Sequence, residues 1–335
     1  TVILPSTLTA IYAEAFYQCT GLKEIHLPDS IQTLGASAFA NCTALKTVNY
    51  PKAWNKVSVV YGSSPGGSYW SPFIGCTRLK TIDVPEGVTV IPNSAFKNAC
   101  IETITLPNSL TEIEANAFAN CKNLVSITIP EGVTSIIGST FRDCTALKEI
   151  KFPSALAAIY AEAFYRCTSL EEVHLPDSIN TLGSSAFANC TSLKTVNYPK
   201  AWNKVSVVYG YSPGGSYWSP FKGCSNLSMI DVPQGVTAIP NHAFASACLE
   251  TVSLPETLTG IGAYAFENSA YLATISLPDS LTSIGVQAFG NCKKFTSIVI
   301  PKGVTEIAAS TFRNCDALKD VEFPSALTLI DAEAF

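Results

Sequence analysis

Residues 22–42 read LKEIHLPDSIQTLGASAFANC, and the fold follows from how this stretch recurs. Leu22, Ile25 and Leu27 alternate with polar residues towards Pro28. Ile25 and Leu27 therefore point inward and Glu24 and His26 outward, as in a strand buried on one face. Pro28 ends the strand because it has no N–H to give to a ladder. A second apolar pair, Ile31 and Leu34 (Leu8 and Ile11 one repeat earlier), predicts a short second strand beyond the turn. Ala38-Phe39 predicts a single helical turn, with Asn41 as its left-handed stop.

The same proline recurs at Pro5, Pro28, Pro51, Pro85, Pro107, Pro130, Pro153, Pro176, Pro199, Pro233, Pro255, Pro278, Pro301 and Pro324. The steps are 22 or 23 residues except for two of 34. A fixed period of this length is the mark of a solenoid, in which no unit can bury its apolar face alone. Stacked units put parallel strands ~4.8 Å apart. Strands are predicted near residues 23–27, 46–50 and 80–84 and at their repeats, in about fourteen turns.

The unit resembles the BspA-like (Treponema pallidum-type) leucine-rich repeats, written LPxSLTxIGxxAFxxCxxLxxIxLP. The resemblance covers essentially the whole chain. It implies an α/β leucine-rich-repeat solenoid, with a curved parallel β-sheet on one side and short strands and helical turns on the other. Where common leucine-rich repeats hold a ladder-forming Asn, this chain has Ser30, Gly87 or Ser109. The ligand rules of eukaryotic innate receptors therefore do not transfer.

A longer period lies above the first. Residues 5–27 reappear at 153–175, a shift of 148, whereas 130–141 matches 301–312 at a shift of 171. The difference is one 23-residue turn, gained near 255–277. Residues 1–335 thus read as a single repeat domain built of duplicated cassettes, 5–152 and 153–323, with a third opening at 324. The strand tail at Thr1 and the repeat interrupted at Phe335 lack the polar caps that solenoids use. The chain is accordingly expected to be a section of a longer one, with signal and anchor outside it.

Composition narrows the function. Of the residues, 47% are hydrophobic and 14% charged, with a net charge of −5 and no basic run, which argues against nucleic acid or an anionic membrane surface. No apolar stretch approaches the ~20 residues that span a bilayer. There is no GxSxG, P-loop, HExxH or EF-hand loop, so no enzyme, metal or cofactor is expected. Ten of the twelve cysteines fill the AFxxC slot, Cys100 and Cys248 fall one residue later, and Ser269 takes the slot in the added turn. One cysteine per turn reads as a column of buried free thiols. Disulfides are the alternative, since ~5 Å between Cα atoms does not forbid them.

Two surfaces are candidates for recognition. The 34-residue turns carry all four tryptophans, and the Ser-Pro-Gly-Gly turn signals there suggest hairpins. Trp54 and Trp202 occupy core register, whereas Tyr69, Trp70, Tyr217 and Trp218 abut the turns and are the ligand-contact candidates. The alternative for the inserts is a structural flap. The second surface is the concave row of outward positions, including Glu24, His26, Thr103, Thr105, Ser126, Thr128, Glu172 and His174. It reads as a polar strip, and its bland reading is a solvated sheet face. The Glu24/His26 and Glu172/His174 pairs are cassette copies without a nucleophile, and His242 replaces Ser94 of the first copy.

The resemblance implies a bacterial cell-surface or secreted adhesion protein, extracellular in location. The expected partner is a macromolecule: a host protein, matrix or glycan, bound by a monomer. A spacer or stalk presenting another domain, or the binding appendage of an enzyme, is the competing reading.

Overall fold

The computed structural model describes residues 2–58, 71–206 and 219–335. It is a parallel-strand solenoid of about 13 turns of roughly 23 residues, one fewer than the fourteen prolines suggest, because fourteen marks bound thirteen intervals. Two compact units are distinguished. The first holds residues 1–156 and 163–170, the second 157–162 and 171–335.

In the first unit a first ladder pairs Glu24–Ile25 with Thr47–Val48, Thr81–Asp83 with Thr103–Thr105, and Ser126–Thr128 with Glu149–Lys151. A second ladder pairs Ala10–Ile11 with Thr33–Gly35 and that strand with Lys56–Ser58, then Val90–Ile91 with Glu112–Ile113. All are parallel and in repeat register, since a slip of one residue would turn every apolar side chain outward. Ile25, Ile82, Ile104, Ile127 and Ile150 are buried while their strand neighbours are exposed. The second unit repeats the scheme. Its first ladder includes Glu172–Val173 with Thr195–Val196 and Met229–Asp231 with Thr251–Ser253. Its second ladder joins Ala238–Ile239, Gly260–Ile261 and Ser283–Ile284.

The expected helical turn is absent among the described residues, so the architecture there is all-β rather than α/β. Two left-handed residues per repeat, Ser37 (φ 59) and Asn41 (φ 58) in one, prevent a continuous helix. Alternate N–H groups have different destinations instead. Ala38, Ala40 and Cys42 donate locally to Gly35, Ser37 and Phe39 carbonyls, whereas Phe39 and Asn41 donate to Pro72 and Ile74 of the next turn at 2.8 Å. The segment is a third inter-turn ladder. It satisfies backbone groups that a one-turn helix would leave bare.

Behind this ladder the phenylalanines stack. In the first unit Phe16, Phe39, Phe73, Phe96, Phe118, Phe141 and Phe164 follow one another at 5.1–6.2 Å with nearly parallel rings. Phe187 to Phe221, Phe244, Phe266, Phe289 and Phe312 do the same in the second. Trp54 and Trp202 are buried as expected, each indole N–H donating to a backbone carbonyl at 2.9 Å (Lys56 and Lys204).

The cysteine column is a capping device. Cys76, Cys121 and Cys144 donate their thiol protons to the carbonyls of Phe39, Phe96 and Phe118 one turn back, at 3.0–3.2 Å. Ser269 keeps the same bond to Phe244 at 3.4 Å. None of the twelve cysteines is joined in a disulfide. At the Asn-ladder position the hydroxyl does the same work: Ser109 donates to the Val88 carbonyl at 2.8 Å and accepts the Gly87 N–H at 2.9 Å. Gly35 is needed because a Cβ there would sit 2.0 Å from the Ala13 nitrogen of the preceding turn.

Candidate recognition surfaces

The outward row of the first ladder is built by strand alternation alone. Thr81/Asp83, Thr103/Thr105, Ser126/Thr128 and Glu149/Lys151 lie on consecutive turns of the first unit, and all eight are exposed. Their backbone groups are engaged in the ladder, so only side chains meet solvent. Thr105 Oγ1 donates to Asp83 Oδ1 at 2.8 Å, and Lys151 pairs with Glu149 at 3.4 Å. Beside the row, Lys80 and Glu102 form an ion pair of 2.8 Å.

Thr103, Thr105, Ser126 and Thr128 are thus brought together on two adjacent turns. Glu24 and His26 lie three turns earlier in the same unit, across the first long turn. Glu172 and His174 belong to the second unit, where His174 Nε2 is 3.2 Å from Glu172 Oε1. That imidazole is 80% and the carboxylate 58% exposed, so neither has the desolvated setting that acid–base chemistry requires. Asn49 and Asn197 hold outward register too, but they are structural. Each side-chain amide takes both backbone groups of a leucine two residues beyond the strand of the preceding turn, Leu27 or Leu175, at 2.7 and 2.8 Å.

Tyr69, Trp70, Tyr217 and Trp218 lie outside the described residues. No cluster of three or more His, Cys, Asp or Glu side chains that could hold a metal ion occurs among the described residues. Nor is any helix there long and apolar enough to cross a membrane.

A second surface lies on the other ladder of the second unit, at the added turn. A groove of about 650 Å³ crosses four turns, bordered by Asn203, Lys204, Asn241, His242, Tyr264 and Ser283. The His242 and Tyr264 rings stack at 4.7 Å and 3°. Burial holds the His242 imidazole below its ordinary pKa, so it is neutral at pH 7. His242 replaces Ser94 of the first copy. The added turn that follows carries Gly260, Gly262 and Tyr264, whereas the turn that follows Ser94 in the first cassette carries Glu112, Glu114 and Asn116.

The sequence model of the BspA type leucine-rich repeat region matches in six copies, over residues 1–64, 69–125, 89–208 and 218–335. No curated protein matches. Among solved structures, a leucine-rich repeat protein from Bacteroides ovatus is similar at 27% identity and TM-score 0.68, covering 98% of this chain and 79% of its own. A leucine rich cell surface protein from Faecalibacterium prausnitzii is 26% identical with TM-score 0.47, over 97% of this chain and 83% of its own. The pneumococcal vaccine antigen PcpA is 21% identical with TM-score 0.46, over 98% of this chain and 80% of its own.

Proposed function

Because this chain belongs to the BspA-type leucine-rich-repeat family, we propose that it is a non-catalytic recognition protein, acting at a bacterial cell surface or after secretion. Leucine-rich-repeat proteins commonly bind other proteins. The partner is a macromolecule of a host or its matrix, protein or glycan, bound by the monomeric chain.

The observation that supports this reading is the exposed row at Thr81/Asp83, Thr103/Thr105, Ser126/Thr128 and Glu149/Lys151. Ladder bonds fix its side chains at a pitch of ~4.8 Å, so binding would cost little backbone ordering entropy. The row is long, shallow and of mixed charge, which suits a broad contact with a macromolecule rather than capture of a small molecule. The insert aromatics Tyr69, Trp70, Tyr217 and Trp218 are proposed as a second contact set.

Surface plasmon resonance of the immobilised chain against matrix proteins and polysaccharides tests the proposal. Thr105→Arg with Thr128→Arg places two bulky charges on adjacent turns at exposed positions, where folding tolerates them. Saturable binding that the double variant loses is the expected result. Absence of saturable binding across the panel, or equal binding by the variant, would overturn the role of this row and favour a spacer.

A further inference from the structure

We propose that the groove at the added turn is a binding site for an acidic saccharide, one carrying a uronic-type carboxylate. The turn that follows 85–106 in the first cassette supplies a positional comparison for the added turn that follows 233–254 in the second. In the first copy Glu114 fills the corresponding space, and its Oε2 accepts the Asn93 N–H at 2.6 Å. In the second copy Gly262 stands there, and among the described residues no side chain takes the Asn241 N–H. The Asn241 side chain meanwhile spends its oxygen on the Ala263 N–H at 2.8 Å, which leaves its Nδ2 as a donor. Two donors, the Asn241 N–H and Nδ2, thus belong to a residue that lines the groove.

The electrostatics change in the same direction. Lys56 in the first copy is matched by Glu112 and Glu114, giving that region one net negative charge. The groove of the second copy is lined by Lys204 and holds no carboxylate, giving one net positive charge. With glycine at 260 and 262 no side chain projects from these two floor positions, and the groove's volume of about 650 Å³ falls within the usual range for ligand sites, ~300–1,000 Å³.

A saccharide fits better than a peptide for a stated reason. The floor offers no open strand edge, because the Gly260, Gly262 and Gly285 N–H groups donate to Thr237, Ile239 and Ile261 carbonyls. Strand addition, the commonest way of holding an extended peptide, is therefore closed off. What remains are amides, hydroxyls, an imidazole and one ammonium, a set that matches vicinal hydroxyls and a carboxylate. The stacked His242–Tyr264 pair presents a flat aromatic wall beside them.

The inference rests on the recognition reading only in that the chain binds a ligand at its surface. The outward row and the groove lie on different ladders, so either fails without the other.

Isothermal titration of the 335-residue chain with trigalacturonate tests it, with cellotriose and triglutamate as neutral-sugar and acidic-peptide controls. One trigalacturonate per chain is expected, with both controls weaker by about tenfold or more. The variant Gly260→Glu puts a carboxylate on the groove floor at a position where an added Cβ would meet only Ser283 Oγ, at 3.1 Å, and circular dichroism verifies the fold. It should weaken binding by at least about tenfold through like-charge repulsion and lost volume. Tyr264→Asn, which removes the ring stacked on His242 and keeps a polar side chain, should weaken binding with an unchanged melting curve. Lack of saturation with trigalacturonate, equal binding of either control, or unchanged affinity in Gly260→Glu would each overturn the assignment.

Discussion

At pH 8 a thiol reagent added to the folded chain should modify about four of the twelve cysteines, and the other eight only after unfolding. Cys19 is exposed and Cys100, Cys248 and Cys315 are half-buried, whereas the remaining eight are buried in the stack. Reaction requires thiolate, and burial disfavours the charged form. Desolvation pushes Cys76 and Cys224 up to about 12, and raises Cys121 and Cys144 as well. A thiol at 12 is ionised at pH 8 to roughly one part in ten thousand, against roughly one in ten at the ordinary value, a suppression of about a thousandfold. Steric protection adds to this. Cys315 is the counter-case: a hydrogen bond with the Cys292 thiol holds Cys315 below its ordinary value and Cys292 above it. Cys315 should therefore be alkylated early, with Cys292 protected beside it. Stopped-time alkylation followed by peptide mass mapping, with and without guanidinium, reads both rate and position. Twelve thiols reacting at one rate in the native state would refute the buried column. Fewer than twelve in guanidinium without reductant would mean disulfides, against a column that holds none.

Four further outcomes are expected. Phe118→Ala removes a fully buried ring stacked at 5.5 and 5.3 Å on two neighbours, and should cost ~3–5 kcal/mol in denaturant unfolding. A loss below ~1 kcal/mol would mean that the stack contributes little. Gly35→Ala forces a Cβ against the backbone of the preceding turn and should destabilise by ~1–3 kcal/mol or abolish soluble expression, whereas unchanged melting would refute the close approach. Asn49→Ala strips both bonds from the buried Leu27 backbone and should cost ~1–3 kcal/mol, with faster hydrogen exchange at Leu27 as the local sign. Trp70→Ala with Trp218→Ala should reduce partner binding while leaving the melting temperature nearly unchanged. Lost stability with intact binding would make the inserts structural.

Much of this protein was legible in its sequence because a solenoid writes its period directly. Fourteen prolines gave the register, the alternation before each gave the inward isoleucines, and the Ala-Phe and Cys columns gave the core. In a stacked repeat, neighbours in space are neighbours in the period, so contacts can be counted off without knowing the tertiary fold. The outward row was legible for the same reason. What the period could not reveal was where alternate backbone N–H groups go. Ala38-Phe39 looks helical by propensity, and only the left-handed φ at Ser37 together with the 2.8 Å bond from Phe39 to the next turn makes it a third ladder. The roles of Asn49 and the cysteine thiols were hidden likewise, because a side chain that caps a carbonyl one turn away leaves no local pattern. The groove needed both kinds of information. The period shows an added turn with glycines at 260 and 262 and His242 in place of Ser94, but only the stacking of successive turns sets His242 against Tyr264 beside the groove. Composition and period determine which side chains repeat, and hydrogen bonding between turns decides what the exceptions face.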